Sequence, residues 1–197
     1  MTEHPIPISE QRYFVALPVP PDLKARYQTF QKEYSGGTLR WAHKDDLHIT
    51  LRYIGFSAED KAEEIAGKLA EIRFLKFHIA VDGFGFFENK KQTVLYAAVQ
   101  STRKLTALCT DVTDKLQQTG LTFTPRPYVP HITLARMNKN QTTNVRQTIE
   151  RYKTDFRSTW EATSFCLMRS NTASNMGNKD TEPVRYDILQ RYNLRDY

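Results

Sequence analysis

The chain has 197 residues, a length that fits one domain or two small fused lobes. Its composition, 40% hydrophobic and 25% charged, suits a folded soluble protein. The N-terminus carries no apolar signal region and the sequence no 18-residue apolar run, so we expect neither a secretory signal nor a transmembrane helix. The formal charge of +6 favours polyanions such as RNA or nucleotides as partners, although solubility would explain it equally well.

Alternating apolar residues and turn signals predict the elements of the first half of the chain. Proline is favoured at the start of a helix and glycine at its end, and a serine followed by an acidic residue resembles a helix cap. In chain order we predict a strand at 12–19, a helix from Pro21 to the glycine stop at 35–37, a strand at 47–54 closed by Gly55, a helix capped by Ser57, and a strand at 77–87.

The second half begins with the partner strand of a hairpin. In chain order we predict a strand at 93–99 after a turn at 88–91, a helix at 101–118 stopped by Gly120, a strand at 128–137, a helix at 142–152, and strands at 161–169 and 184–192. The stretch 170–183 is polar and predicted as a loop. The cysteines, Cys109 and Cys166, form no CxxC pair or zinc spacing, so we expect core thiols and a reducing, cytoplasmic compartment.

One short string occurs in both halves, each time in the strand that follows the first helix of the half. The first copy, His-Ile-Thr-Leu, begins at His48 and the second at His131. The equivalent positions predict duplicated βαβ-type units related by a pseudo-two-fold axis, with the two strings facing each other across a cleft.

The repeated string indicates acid–base chemistry. Side chains alternate along a strand, so His48 and Thr50 share one face, as do His131 and Thr133. With an ordinary pKa near 6.5, one imidazole can be neutral and the other charged, which supplies a base for an entering water and an acid for a leaving oxygen. The threonine hydroxyls can donate hydrogen bonds to phosphate oxygens. One HxT string would mean little, but two at matching positions favour catalysis over coincidence.

A metal site is the alternative chemistry. Histidine and threonine two residues apart make a poor chelate, and zinc would need a third ligand. Candidates for that ligand are listed here in chain order: His43, Asp45, Asp46 and His78. Their positions are typical of a loop start rather than a ligand set, so we expect no metal and no other cofactor.

The sequence resembles the 2H phosphoesterase superfamily, specifically the RNA 2′,3′-cyclic phosphodiesterases that are also called 2′-5′ RNA ligase or LigT-like proteins. The resemblance is carried by RYFVALPVP, RWAHKDDLHITLRYIG, VDGFGFFENKKQTVLYAAV, RPYVPHITLAR and FCLMRS, followed by YDILQRYNL. It implies a bilobal α+β fold with a cleft between two antiparallel sheets, within a single domain of 1–197. The lobes would span about 1–90 and 91–197 and carry one HxTx motif each.

The resemblance also implies roles that the residues alone leave interchangeable. His48 would be the proton donor to the leaving 3′ oxygen and His131 the proton acceptor from water, which gives a 2′-phosphomonoester. The expected partner is RNA or a nucleotide with a 2′,3′-cyclic phosphate end, and the expected state is a monomer. A relative acting on a small cyclic phosphate, ligation in reverse, and an RNA-binding module with a degenerate site are the alternatives; two intact motifs argue against the last.

Four further residues are candidates for substrate binding. Arg52 lies two residues beyond Thr50 and would share its strand face, where it could contact phosphate or remain a solvated arginine. The family pattern suggests a phosphate contact for Arg136, although strict alternation turns it away from the second histidine. Phe14 and Tyr128 could stack on a base, line the cleft or belong to the core.

Overall fold

The computed structural model describes residues 11–34, 39–88, 92–138, 142–149, 157–171 and 185–196. Within these ranges, four α-helices and nine strands form an α+β fold, as predicted. The strands are β1 (Gln11–Pro18), β2 (Arg40–Trp41), β3 (His48–Ser57), β4 (Phe77–Glu88), β5 (Thr93–Val99), β6 (His131–Met137), β7 (Arg157–Ala162), β8 (Ser164–Asn171) and β9 (Arg185–Asn193). The helices are α1 (Pro21–Glu33), α2 (Glu59–Leu69), α3 (Arg103–Gln117) and α4 (Thr142–Ile149).

All paired strands of the sheet are antiparallel, in the order β7-β4-β5-β6-β3-β1-β8-β9, with β2 beside β6. The two expected sheets are therefore halves of one sheet. They join at a single pair of residues, Ile49 of β3 and Ile132 of β6. Because pairing stops after one step, β3 and β6 diverge on either side of it, and a cleft can form between the halves.

The sheet exchanges strands between the two sequence repeats. β4 belongs to the first half of the sequence but pairs with β5 of the second half. In the same way, β8 belongs to the second half and pairs with β1 of the first half. The strands on the two sides of the central pair consequently correspond by a two-fold rotation, β6 with β3, β5 with β1 and β4 with β8. The boundary expected near residue 90 does not coincide with the division of the sheet, because each half contains strands from both sides of it.

Several predicted boundaries differ from the structure. β3 continues through Gly55, which has a positive φ of 98°, as far as Ser57; the cap of α2 is Ala58, so the predicted serine cap is wrong. β6 begins at His131 rather than three residues earlier. The strand expected at 161–169 is two strands separated at Thr163. The tip of the 88–91 turn, the helix end at 150–152 and most of the 170–183 loop lie outside the described residues.

The helices and the two faces of the sheet create two apolar clusters. The main core contains the buried side of all long strands together with helix residues such as Tyr27, Ile65 and Leu108. A smaller cluster on the opposite face consists of Phe14, Ala16, Cys166 and Met168, with Tyr186 against it. Both cysteines are free and buried, as expected. Within the described residues, no helix is long and apolar enough to cross a membrane.

β-Bulges in both motif strands change which side chains share a face. In β3, Thr50 pairs with Ala16 but Arg52 pairs with Val15, so one extra residue, Leu51, interrupts the alternation. In β6, Thr133 pairs with Tyr96 and Ala135 with Leu95, so Leu134 is the extra residue. A bulge places two successive residues opposite one partner and shifts every later side chain by one position. The repeat therefore extends to the backbone irregularity itself.

Candidate active site

The ring of His48 is fixed through both of its nitrogens. Nδ1 lies 2.7 Å from the carbonyl oxygen of Asp46, and Nε2 lies 3.1 Å from the Thr50 hydroxyl oxygen. Because a carbonyl can only accept, Nδ1 carries the donating proton, and Nε2 is left to exchange protons at the open side of the strand. The Asp46 side chain accepts a hydrogen bond from the backbone N–H of Tyr186 at 3.2 Å, which ties this turn to β9.

The ring of His131 is held in the same way. Its Nδ1 lies 2.8 Å from the carbonyl oxygen of Val129, again the residue two positions earlier in the chain. The carbonyl selects the tautomer with a proton on Nδ1, so Nε2 is the reactive nitrogen here too. Both copies of the motif thus present the same imidazole nitrogen, and in both copies the backbone of the preceding turn sets its direction.

The central strand pair brings the two copies of the motif together. Ile49 and Ile132 are opposite each other in antiparallel strands, so on the other face the neighbours are His48 with Thr133 and Thr50 with His131. The register therefore places two imidazoles and two hydroxyls around one site, as the repeat predicted. The same closeness is visible in the electrostatics, because His131 lowers the pKa of His48.

Burial makes both imidazoles weak bases. The pKa of His48 is lowered from 6.5 to about 4. Burial is the largest cause, His131 and Arg136 contribute in the same direction, and the Asp46 carbonyl acts against them. Burial also lowers the pKa of His131, again with a contribution from Arg136 and against the Val129 carbonyl. Protonation of both rings is consequently disfavoured in the free protein, and a bound anion would favour protonation of either.

The bulges separate the two candidate arginines. In β6, Leu134 and Ala135 are both buried on the core side, so Arg136 lies on the same face as His131. Its charge there lowers the pKa of both histidines. After Leu51, Arg52 instead joins the core face, where Nε donates to the Thr113 hydroxyl of α3 at 2.9 Å and the guanidinium lies 5.0 Å from the Phe123 ring centroid. The geometry brings Arg136, and not Arg52, to the motif histidines.

The two aromatic candidates support the site from different sides. Phe14 is only 4% exposed and its ring centroid lies 4.8 Å from that of His48, so it forms the floor beneath this imidazole. Tyr128 is half-buried against the main core, and its hydroxyl donates to the Thr50 carbonyl oxygen at 3.1 Å. Tyr128 therefore positions β3 from behind.

Three aromatic residues that pack on the histidines were missed in the sequence analysis. Tyr186 contacts His48 edge-on, with ring centroids 5.0 Å apart. Phe87 and Tyr96 stack on each other at 4.1 Å, and their centroids lie 4.8 and 5.5 Å from that of His131. Because both histidines are enclosed by rings, burial is the leading cause of their lowered pKa values. No sequence signal marked these three residues, since they lie on strands remote from the motifs.

A glycine creates the space for one of these rings. A Cβ added at Gly85 would lie 2.3 Å from a ring carbon of Tyr96, far inside contact distance. The two residues are cross-strand partners in β4 and β5, and the ring lies over the glycine backbone. Gly85 thus allows Tyr96 to lie flat beside His131.

The alternative metal ligands do not converge. His43 Nδ1 accepts a hydrogen bond from the backbone N–H of Asp45 at 3.3 Å, and the carboxylate of Asp46 is bonded to the Tyr186 backbone. His78 is exposed on β4, in the far half of the sheet. Within the described ranges, no group of three or more His, Cys, Asp or Glu side chains could hold a metal ion.

Comparisons with known proteins agree on one family. The model of the 2′-5′ RNA ligase superfamily matches residues 19–173. The RNA 2′,3′-cyclic phosphodiesterase of Archaeoglobus fulgidus is 29% identical over 161 residues, which cover 81% of this chain and 90% of that protein. The enzyme of the same name from Bacillus subtilis is 31% identical over 138 residues, covering 66% and 74%. The fold is similar to that of E. coli LigT complexed with 3′-AMP, with a TM-score of 0.76, 24% identity and coverage of 94% and 99%.

Proposed function

Because this chain belongs to the 2′-5′ RNA ligase superfamily, we propose that it hydrolyses 2′,3′-cyclic phosphate ends of RNA to 2′-phosphomonoesters by a metal-independent, two-histidine mechanism. The observation that carries this proposal is the symmetric anchoring of both rings. In each, a carbonyl two residues earlier binds Nδ1 and leaves Nε2 for proton transfer, on two strands that meet between the motifs.

The reaction follows from the two imidazoles in opposite protonation states. Nε2 of neutral His131 accepts a proton from a water molecule whose oxygen attacks phosphorus. The bond from phosphorus to the 3′ oxygen breaks, and Nε2–H of protonated His48 transfers its proton to that oxygen. The products are a 2′-phosphate and a free 3′-hydroxyl. His131 then releases its proton and His48 gains one from solvent, which restores the starting state.

The remaining polar groups would stabilise charge that develops on the phosphate. The hydroxyls of Thr50 and Thr133 lie next to the imidazoles in the strand register and can donate to non-bridging oxygens. The exposed Arg136 adds a guanidinium that can bind two phosphate oxygens. In a water-poor site, such fixed donors reduce the activation energy without a metal. The low pKa of His48 in the free protein means that the bound phosphate anion has to stabilise its protonated form.

The choice of substrate rests on the relatives. Those from A. fulgidus and B. subtilis are named RNA 2′,3′-cyclic phosphodiesterases, and E. coli LigT was crystallised with 3′-AMP, a nucleotide with a phosphate on the ribose. A small cyclic phosphate remains the alternative substrate. The cytoplasmic location and the monomeric state remain predictions.

Chelation and histidine replacement test the proposal together. Turnover of 2′,3′-cyclic AMP should persist in excess EDTA, and His48→Ala and His131→Ala should each lower kcat about 10²- to 10⁴-fold. The double replacement should cost much less than the product of the two single effects, because partners in one step act as a unit. Activity that disappears with EDTA and returns with zinc or manganese would overturn the mechanism.

An activated substrate distinguishes the roles of the two histidines. A cyclic phosphate with a good leaving group needs little protonation, so it should restore much of the rate in His48→Ala and little in His131→Ala. Rescue of the second variant alone would reverse the assignment of acid and base. Circular dichroism should show that both variants remain folded, since the rings lie on the cleft face and the apolar side of each strand is unchanged.

A further inference from the structure

The motif strand β3 continues as a row of side chains on the cleft face. A second bulge follows the first, because Phe14 pairs with Tyr53 while Tyr13 pairs with Gly55, which leaves Ile54 as the extra residue. Phe14 belongs to the cleft-face cluster and Tyr13 to the main core. Tyr53 therefore shares the face of the motif histidine.

The same register carries the row further along β3. Ile54 packs against the main core, and Phe56, which pairs with Arg12 after Gly55, lies on the cleft face again. Simple alternation from His48 would place Tyr53 on the opposite side. The first bulge, at Leu51, moves it to the cleft face, and the second, at Ile54, keeps Phe56 on that face as well. The cleft face of β3 is thus lined in sequence by His48, Thr50, Tyr53 and Phe56.

The two aromatic residues in this row are exposed, in contrast to those beneath the histidines. Tyr53 is 55% and Phe56 57% accessible, whereas Phe14 on the neighbouring strand is 4% accessible. The guanidinium carbon of Arg12 lies 4.6 Å from the centroid of the Phe56 ring. The Tyr53 phenol is also close enough to Tyr186 to affect its ionisation, so the row begins at the wall of the cleft.

Resting on the proposed function, we propose that Tyr53, Phe56 and Arg12 form a platform that binds the single-stranded RNA leading to the cyclic phosphate end. The platform makes an RNA strand, rather than a small cyclic nucleotide, the preferred substrate of the site. Bases of the nucleotides before the end stack on the two rings, and Arg12 contacts a backbone phosphate or stacks on a base.

The chemistry of the row fits this partner. Sheet faces with exposed aromatics bind unpaired bases by stacking, and arginine guanidinium planes stack on bases as well. The row is continuous with the proposed catalytic site along one strand, so a chain with its end between the histidines would extend over it. The formal charge of +6 for the whole chain also favours a polyanionic partner, and Arg12 places one cation at this surface.

Substrates of increasing length test the platform separately from the chemistry. With wild-type protein, KM should fall from 2′,3′-cyclic AMP to oligoadenylates of two to four nucleotides that end in the same cyclic phosphate. Phe56→Ala and Tyr53→Ala should each raise the ratio of the tetramer KM to the mononucleotide KM about five- to a hundredfold, the loss expected for one stacked base. Phe56→Trp should keep the wild-type ratio, since it retains a ring.

Salt dependence and a variant outside the row complete the experiment. Arg12→Ala should lower the slope of log KM for the tetramer against log salt concentration by about 0.7, the value for one phosphate contact to a single strand. Leu75→Ala removes an exposed apolar side chain outside this row and should leave the KM ratio unchanged.

Each outcome has one meaning. A KM ratio that is unaffected by Phe56→Ala and Tyr53→Ala, in a protein that cleaves both substrates, overturns the platform and leaves the proposed function intact. No cleavage of any cyclic phosphate overturns the proposed function itself. Concentration-dependent association of the protein that disappears in Phe56→Ala, with no change in KM ratio, would identify the row as a contact between copies of the chain and would also overturn the platform.

Discussion

The low pKa of His48 predicts an unusually acidic pH optimum for kcat/KM. Removal of water from the ring disfavours the imidazolium and lowers its pKa from 6.5 to about 4. At pH 7 the free protein would then hold this proton in about one molecule in a thousand, against about one in four for an ordinary histidine. Burial shifts His131 in the same direction. The state with one charged and one neutral ring is therefore most populated below pH 6.5.

The assay is the pH dependence of kcat/KM, which reports the ionisation of the free enzyme. With 2′,3′-cyclic AMP at concentrations below KM, kcat/KM should fall about tenfold for each pH unit above 6.5, because the acid loses its proton. The maximum of kcat/KM should lie below pH 6.5, because burial lowers the pKa of both rings. The optimum of kcat should lie at higher pH, since the bound phosphate anion favours protonation.

A substrate with an activated leaving group supplies the control. It does not need the acid, so its profile should lose most of the decline above pH 6.5. An optimum of kcat/KM at or above pH 7 for the ordinary substrate would refute the argument from burial. So would a profile that is unchanged in the His48→Ala variant.

Three further predictions follow from contacts around the cleft. Arg136→Ala should lower kcat/KM about ten- to a hundredfold, because a hydrogen bond to a charged phosphate is lost. Arg52 is anchored to α3 instead, so Arg52→Ala should keep kcat/KM within about threefold of the wild-type value. Equal losses in the two variants would contradict the bulge geometry. Gly85→Ala should displace the tyrosine ring packed on it and lower kcat about tenfold or more, while Gly67→Ala, which meets nothing within 4 Å, should not; equal rates would refute this. His48 has a pKa of about 4 in the folded protein and about 6.5 in the unfolded chain, so the unfolded chain binds its proton more readily. The free energy of unfolding should therefore fall by up to about 3 kcal/mol as the pH drops from 6.5 to 4. In urea unfolding, His48→Gln should lose less of this free energy over the same pH range, and an equal loss would exclude His48 as the cause.

Regular elements were predictable because burial imposes a period on the sequence. The spacing of Leu105, Leu108, Val112 and Leu116 predicted α3, and all four residues are buried on one side of it. The alternation in β5 is equally regular, with every second residue buried from Thr93 to Val99. Such patterns depend only on residues that are near each other in the chain, so they can be recognised without knowledge of the fold.

The site was predictable in its chemistry and only partly in its geometry. The repeated string gave the histidines and threonines, but the extra residues Leu51 and Leu134 break the alternation on which the arginine predictions relied. A bulge is a property of two paired strands, so one strand's sequence carries little sign of it. Alignment of the two repeats beyond the motif, with Tyr53 opposite Arg136, would have indicated that Tyr53 faces the cleft.

The exchange of strands between the repeats also governs how the protein is built during synthesis. β1 emerges first but lacks its outer partner until β8, more than 140 residues later, has left the ribosome. Tyr186, which closes the wall beside His48, arrives later still on β9. Contacts so distant in sequence close slowly and cooperatively. The nascent chain therefore exposes an incomplete sheet edge until β8 and β9 are available, and that edge is a surface on which a chaperone would act.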